Sequence, residues 1–332
     1  MRPLLFGLEE YRSRLPTTDL YFLSPLKHLI RQGADVPRPV WLGANAYAVG
    51  ETGVVSRYGS ERDLERLSAR GARRLVYIAD DDFAAGAIDP GLPQPYRAKL
   101  ASFAQEAWPT LKTAADVVIV PSPALAEIYG AKALILHPAW ARDPAGTSHF
   151  ERPRRVEIAH LGTGSHGSDL APLAGPIAAL LQANSDTRLT LFATTDPPSE
   201  LSRHPRVRLR RQMPWWRYKH LLPWMRFHLA IYPLRDSAFN RARSANKLFE
   251  HALVGAASLM SPIPALLGAT SGASTGVFVE GGPDEWRARI EADLADPAAA
   301  RARAERVGKH ISEIDPLGAA AERWLAILTG GT

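Results

Sequence analysis

The 332-residue sequence contains no cysteine. That excludes disulfide staples, thiolate metal ligands and cysteine nucleophiles, and it fits a reducing compartment. Long uninterrupted apolar runs are also missing. The most apolar stretch, residues 251–269, is broken by Pro262 and Pro264 and does not read as a membrane span. The opening "MRPLLFGLEEYRS" is cut short by Glu9 and Glu10 and does not read as a secretory leader, so the expectation is a cytoplasmic protein. HExxH, G-x-x-x-x-G-K-[ST] and G-x-S-x-G do not occur, and the histidines have no metal-ligand spacing. No repeat at a fixed period and no long low-complexity tract is visible.

What is present is a globular composition with a basic balance. Hydrophobic residues at 46% and charged residues at 22% are enough to build packed cores, and 332 residues suffice for two domains. The net charge of +6 favours an anionic partner (nucleotide, nucleic acid or lipid headgroup), or reflects an arginine-rich solvated surface. Twenty-seven prolines and 25 glycines imply many short connections.

Strand and helix signals alternate along the chain. "LSPLKHLIRQG" offers Ser24 as cap, Pro25 at the first helical position and Gly33 after the end. "SERDLERLSARG" repeats that pattern with Ser60 and Gly71. "RLVYIADDD", "DVVIVPS" and "ALILHPAW" are continuous apolar runs, with a helix from Pro123 to about Tyr129 after the second. Such runs separated by helices predict a parallel sheet covered on both faces. Residues 141–155, "ARDPAGTSHFERPRR", are polar and aperiodic and read as a linker. A second alternation follows: "RVEIAHLGTG", a helix in "SDLAPLAGPIAALLQA", strands in "RLTLFA" and "RVRLRR", a helix in "PWWRYKHLLPWMR", and a strand in "FHLAIYPL". The predicted fold is α/β with two doubly wound, Rossmann-like domains facing a cleft. Their expected extents are 1–145 and 152–315, with a terminal helix over 316–332 packing back across them. Ligands of such sheets sit at the carboxyl ends of strands.

Four stretches carry candidate chemistry. In "FNRARSANKLFEHALVGAASLMS" the cations Arg241, Arg243 and Lys247 crowd a helix start, with Ser244 as the cap. Cations are disfavoured there by several tenths of a kcal/mol each. A bound phosphate using the amides and the cationic side chains resolves the conflict, as does a Lys247–Glu250 pair on a solvated helix. "GTGSHG", residues 162–167, matches G-x-G-x-x-G between a strand and a helix, where backbone amides can approach a diphosphate. The acidic residue expected about twenty positions on is not matched, since Asp186 lies in a loop and Asp196 comes after the next strand. The match therefore favours a phosphate-binding turn, or a plain strand–helix turn, over a nicotinamide site. Within it His166 could donate to a diphosphate, and Asp169 could cap the following helix. "ADDDF" sets Asp80, Asp81 and Asp82 at a strand end, as general base, hydroxyl acceptors, a divalent-metal site or a solvated turn. "PWWRYKH" mixes aromatic and basic residues; it could stack bases or sit at a membrane interface, and its place between two buried strands favours a packing helix.

The order of these features resembles GT-B glycosyltransferases of the broad group 1 class. "RSANKLFEHALVGAASLMS" is similar to that family's donor-site helix, and "IAHLGTGSHGSDLAPL" to its Gly-rich turn. "GVFVEGGPDEWRARIEADLADPAAARARAERV" is similar to its closing helices, and "VYIADDDF" and "ADVVIVPSPALAEIYG" to N-terminal-domain elements. The resemblance covers most of the chain from about residue 53.

The family implies transfer from a nucleotide-diphosphate sugar, held mainly by the C-terminal domain, to a hydroxyl acceptor across the cleft. Carried over by position, Glu250 would hold the ribose and Arg243 and Lys247 the diphosphate. Gly162 and Thr163 would allow close approach, with Gly164, His166 and Asn246 completing the donor site. A base would come from Asp80, Asp81 or Asp82. No cofactor and no metal are required, because the cations can stabilise the departing nucleotide. The implied partners are the nucleotide-sugar donor and a glycan, lipid-linked or protein acceptor, with room for peripheral contact at the inner membrane face and no nucleic acid. Many relatives place a second Glu eight residues before the helix glutamate, to hold the donor sugar; this chain has Ala242 there. A GT-B scaffold that binds without turnover and, from "GTGSHG", a nicotinamide oxidoreductase are the competing readings.

Overall fold

The computed structural model describes residues 15–330, apart from 44, 152, 163–166, 194–196 and 271–276. Its strands form two six-stranded sheets. The first takes β1 Val40–Gly43, β2 Ala46–Val49, β3 Thr52–Ser56, β4 Arg74–Ile78, β5 Val117–Val120 and β6 Ala133–Ile135 in sequential order. From β3 to β6 the strands are parallel. The meander β1–β2–β3 is antiparallel and lies outside the strands expected from the sequence. Its strands are short and rich in Ala and Gly (VWLG, AYAV, TGVVS), so they lack the branched apolar run that marks β4 and β5.

The second sheet is wholly parallel. It contains β7 Val156–His160, β8 Thr187–Ala193, β9 Val207–Arg211, β10 Leu229–Tyr232, β11 Ala257–Met260 and β12 Val277–Phe278, in the order β12-β11-β10-β7-β8-β9. Winding reverses between β7 and β10, which pair directly. Such a switch point opens a crevice beyond the carboxyl ends of the two strands, because their crossovers depart in opposite directions.

Local signals explain the helix starts. Ser60 and Asp63 close a reciprocal capping box on Glu61–Ala69, and Ser122 caps Pro123–Tyr129. Ser24 is not a cap. The helical path begins at Pro16, passes through a wider π turn over Asp19–Leu23 and continues into Ser24–Arg31. The Ser24 hydroxyl instead donates to Asp19 at 3.2 Å. Asp19 is buried and also takes hydrogen bonds from Trp215 Nε1 at 2.6 Å and Lys219 Nζ at 2.8 Å, two residues of the other half.

One hydrophobic cluster spans both halves. It joins Leu20, Phe22 and Leu26 to Trp140, Trp215, Phe249, Val307 and Trp324. The last helix, Pro316–Thr329, lies against Ser24–Arg31. Its Trp324 is fully buried, packs tilted against Phe22 with ring centroids 4.9 Å apart and donates from Nε1 to the Tyr21 carbonyl at 2.6 Å. Trp324→Ala should therefore cost about 3–5 kcal/mol, by urea unfolding, through loss of buried area and a cavity. A cost below ~1 kcal/mol would mean that the terminal helix is not part of the cooperative core.

Candidate functional site

The crevice is built from the ends of β7 and β10. After His160 the chain continues through Leu161 and Gly162, and a Cβ on Gly162 would lie 2.3 Å from the His160 ring. Close packing against His160 thus favours glycine at 162. Thr163, Gly164 and His166 lie outside the described residues. Asp169 lies in the first turn of the helix Gly167–Leu170, 4% exposed. It accepts from the Arg235 backbone N–H at 3.0 Å and from Asn240 Nδ2 at 2.9 Å, so its carboxylate ties the β10 loop to the β7 turn.

The helix at the other side of the crevice is Asn246–Leu253, one residue later than a Ser244 cap would place it. Ser244 still serves the end, since its Oγ accepts from the Asn246 backbone N–H at 3.3 Å. Arg243 therefore precedes the helix instead of sharing a face with Lys247 and Glu250. All three cations of this segment have internal partners. Arg241 pairs with Asp236 at the surface. Arg243 lies over the Phe239 ring at 4.9 Å and donates to Asn240 Oδ1 at 3.3 Å. Lys247 Nζ donates to the Leu161 carbonyl at 2.5 Å and to Glu250 Oε2 at 2.6 Å. The charge conflict at this helix start is thus met within the chain, and no anion is needed to explain it.

Glu250 is the centre of the arrangement. It is 2% exposed, and both its oxygens are engaged: Oε2 accepts from Lys247 and from Tyr218 OH at 2.8 Å, and Oε1 from Asn246 Nδ2 at 2.7 Å. Asn246 is oriented in turn by Trp140 Nε1 at 2.9 Å. The next residue, His251, is fully buried, and burial first, then the charges of Lys247 and His160, hold its pKa well below the usual histidine value. It stays neutral and does not compete with Lys247.

Across the cleft, Asp80 and Asp81 follow β4 and share one arginine. Arg57 Nη1 reaches Asp80 Oδ2 at 2.7 Å, and Nη2 reaches Asp81 Oδ2 at 2.5 Å and Tyr96 OH at 2.9 Å. Arg57 has φ of +53°, a strained value for a non-glycine residue. Its backbone is pinned there by the Arg57 N–H to Ile78 carbonyl bond and by Tyr77 OH, which donates to the Arg57 carbonyl. Thr17 also donates to Asp80 Oδ2, whereas the buried Asp80 Oδ1 has no hydrogen-bond partner. Burial raises the Asp80 pKa; Arg57 opposes this and Asp81 adds to it, and the net shift is upward. Asp82 stands apart: its Oδ1 accepts from Ala85 N at 2.9 Å and caps Phe83–Ile88. Among the described residues no three His, Asp or Glu side chains converge as a metal site.

The two sets of residues face each other. Burial works against the Arg243 charge, but Tyr232, Asp81, Tyr96 and Asp169 more than offset it and raise its pKa. Beside this point the halves interlock. Phe239 is buried against Gly86, where any Cβ would clash at 2.8 Å, and both Phe239 and Ala242 belong to the hydrophobic cluster of the first half. The Ala242 carbonyl accepts from Ser122 Oγ at 2.7 Å. Position 242, where relatives are expected to carry a sugar-binding Glu, is 2% exposed and occupied by interdomain packing. Arg57, Tyr96, Tyr218, Asp19 and Lys219 were not among the expected site residues. Their partners on other elements lie between 15 and 200 positions away, and no local spacing reports such pairings.

No family model matches the chain, and no curated protein matches its sequence. Solved structures do resemble it. TarM superposes with a TM-score of 0.59 at 10% identity over 83% of this chain and 54% of TarM. Sucrose-phosphate synthase of Thermosynechococcus elongatus gives 0.57 at 13% identity over 94% of this chain and 79% of that one. Anabaena HepE, in complex with UDP and glucose, gives 0.57 at 14% identity over 83% and 78%. This chain has the GT-B fold that those proteins share.

The geometry makes Lys247 structural. Lys247→Ala should lower the stability of the ligand-free protein by about 1.5–3 kcal/mol, because it removes the one charged donor to a buried carboxylate. Glu250→Gln keeps the shape and should cost less. Chemical denaturation of both variants checks the order. Equal stability of Lys247→Ala and wild type would mean that the buried pair does not form.

Proposed function

We propose that the chain is a glycosyltransferase that moves a sugar from a nucleotide-diphosphate sugar to a hydroxyl of a glycan, lipid-linked or protein acceptor. The observation that carries this reading is the crevice at the β7/β10 switch point of a GT-B fold. Gly162, Lys247 and Glu250 meet there and face a carboxylate-bearing half that contributes Asp80 and Asp81. The HepE structure holds UDP and glucose, and by analogy the nucleotide of this chain's donor occupies the same crevice. Glu250 exchanges one internal donor for a ribose hydroxyl. Lys247 exchanges the Leu161 carbonyl for a phosphate oxygen, and Arg243 adds the second positive charge. Together they stabilise the leaving diphosphate.

Of the three carboxylates, Asp80 is the base that fits best. Its Oδ2 is held by Arg57 and Thr17, and its unpartnered Oδ1 is left to accept the acceptor hydroxyl proton. The acceptor oxygen then bonds to the anomeric carbon as the bond from that carbon to the diphosphate oxygen breaks, and the nucleotide diphosphate departs. A raised Asp80 pKa makes it a stronger base than an ordinary carboxylate, at the cost of being protonated at a higher pH.

A second reading, a GT-B module that binds without turnover, is favoured by the internal partners of both Glu250 oxygens and the burial of Ala242. Two measurements decide between them. A panel of nucleoside diphosphates should raise the melting temperature, since a ligand at a hundred times its Kd adds about 2.7 kcal/mol. No shift with any of them overturns both readings of the crevice. Asp80→Asn should then reduce kcat by about 10²–10⁴ with nucleotide affinity intact. The wild-type acid limb should lie above the ordinary carboxylate pKa, because activity requires Asp80 deprotonated and its pKa is raised. Nucleotide binding without any transfer or donor hydrolysis selects the non-catalytic module.

A further inference from the structure

One face of the second half carries aromatic side chains that no packing requirement accounts for. The helix Trp215–Leu221 and the 3-10 turn Leu222–Trp224 bury Trp215 and Leu222. On the other side Trp216 is 60% exposed, His220 is exposed and Trp224 is 77% exposed. Their spacing of four and four makes one solvent-facing stripe. The helix cannot roll to bury them. Trp215 is bonded to Asp19 and Tyr218 to Glu250, so its inner face is fixed by two buried carboxylates.

Charge around the stripe has a single sign. From residue 201 to residue 235 the sequence contains nine Lys and Arg and no Asp or Glu. Lys219 and Arg235 turn inward to Asp19 and Asp89. Arg211, Arg217 and Arg226 are exposed beside the stripe, and among the described residues none has a carboxylate partner. Arg226 donates only to the Pro223 and Met225 carbonyls, which orient it without neutralising it. Exposed indoles next to unneutralised guanidiniums match the chemistry of a bilayer interface, where indole sits at headgroup level and cations meet anionic lipid.

We propose that the face bearing Trp216, Trp224, Arg211, Arg217 and Arg226 docks on an anionic lipid bilayer. Trp216 and Trp224 enter the headgroup region, and the three arginines neutralise lipid phosphates. The surface stands whether or not the crevice transfers a sugar. It is one helix away from the crevice, because Tyr218 of the same helix touches Glu250. Docking therefore holds the cleft within one helix thickness of the membrane surface.

The test is cosedimentation of the full-length protein with vesicles of phosphatidylglycerol and phosphatidylcholine, against vesicles of phosphatidylcholine alone. The expected result is binding to the anionic vesicles only, weakened severalfold by raising salt from 0.1 M to 0.5 M as Coulomb attraction is screened. Trp216→Ser with Trp224→Ser should weaken binding roughly tenfold or more at unchanged melting temperature, since both side chains are exposed. Arg211→Ser, Arg217→Ser and Arg226→Ser together should remove the preference for anionic lipid. The proposal is overturned by absence of binding to anionic vesicles, or by a tryptophan variant that binds like wild type. It is also overturned if a short single-stranded oligonucleotide displaces the vesicles at equal charge concentration, which would make this a nucleic-acid face.

Discussion

A carboxylate removed from water must be given charge and hydrogen bonds in return, and Glu250 is where this chain meets that demand. Its two oxygens take three donors from two helices, and each donor is itself tied further out. Lys247 holds the end of β7 through the Leu161 carbonyl, Asn246 is held by Trp140 in the crossover between halves, and Tyr218 belongs to the helix whose Trp215 and Lys219 reach Asp19. The crevice, the linker and the interface between the halves are therefore one hydrogen-bonded system. A ligand that takes a donor from Glu250 acts on all three.

The same interface accounts for the departure at position 242. In a cleft open at that point, a glutamate would be free to meet a ligand. Here Phe239 and Ala242 are inserted into the hydrophobic cluster of the first half, and Ser122 holds the carbonyl. An acidic side chain at 242 would be buried among Leu and Val with no cation assigned to it, at a cost of several kcal/mol. Alanine is the residue that this packing requires. Whatever holds a donor sugar in this protein must come from elsewhere in the crevice.

The sequence was most legible where a signal is local. Strands β4 and β5 announce themselves as apolar runs, Ser60 and Ser122 as caps, and the strand–turn–helix around Gly162 as a crevice edge. Resemblance to the GT-B class added the pairing of that turn with the helix of Glu250. Signals failed where a buried charge overrode them. Ser24 looks like a cap but serves Asp19, Asp169 takes donors from Arg235 and Asn240 that its position does not announce, and the cations around the start of the Asn246 helix have partners within the chain whether or not an anion also binds. The partners that bury Asp19 and Asp169 are distant in sequence, and neither periodicity nor spacing carries that information. Of "ADDDF", the pattern located three carboxylates but could not divide their roles, because the division depends on Arg57 from the preceding strand connection.

That division is the most specific consequence of the fold. Three adjacent carboxylates at a strand end would repel one another if all were ionised in one enclosed space. The structure avoids this by sending them three ways. Asp82 turns out to cap a helix, where the amide dipole favours its charge. Asp81 faces Arg57 and Tyr96 and, through the charge field, Arg243 of the other half. Asp80 shares Arg57 but keeps one oxygen unpartnered, and burial lifts its pKa while the arginine limits the rise. A group that is to take a proton must be ionised, yet not so well solvated that it has no use for the proton. Asp80 and Asp81 share the Arg57 cation, and Asp80 is the one whose unpartnered oxygen is buried. The strained Arg57 backbone, φ +53°, is what aims one guanidinium at two carboxylates, so the cost of that conformation is borne to set the difference between them.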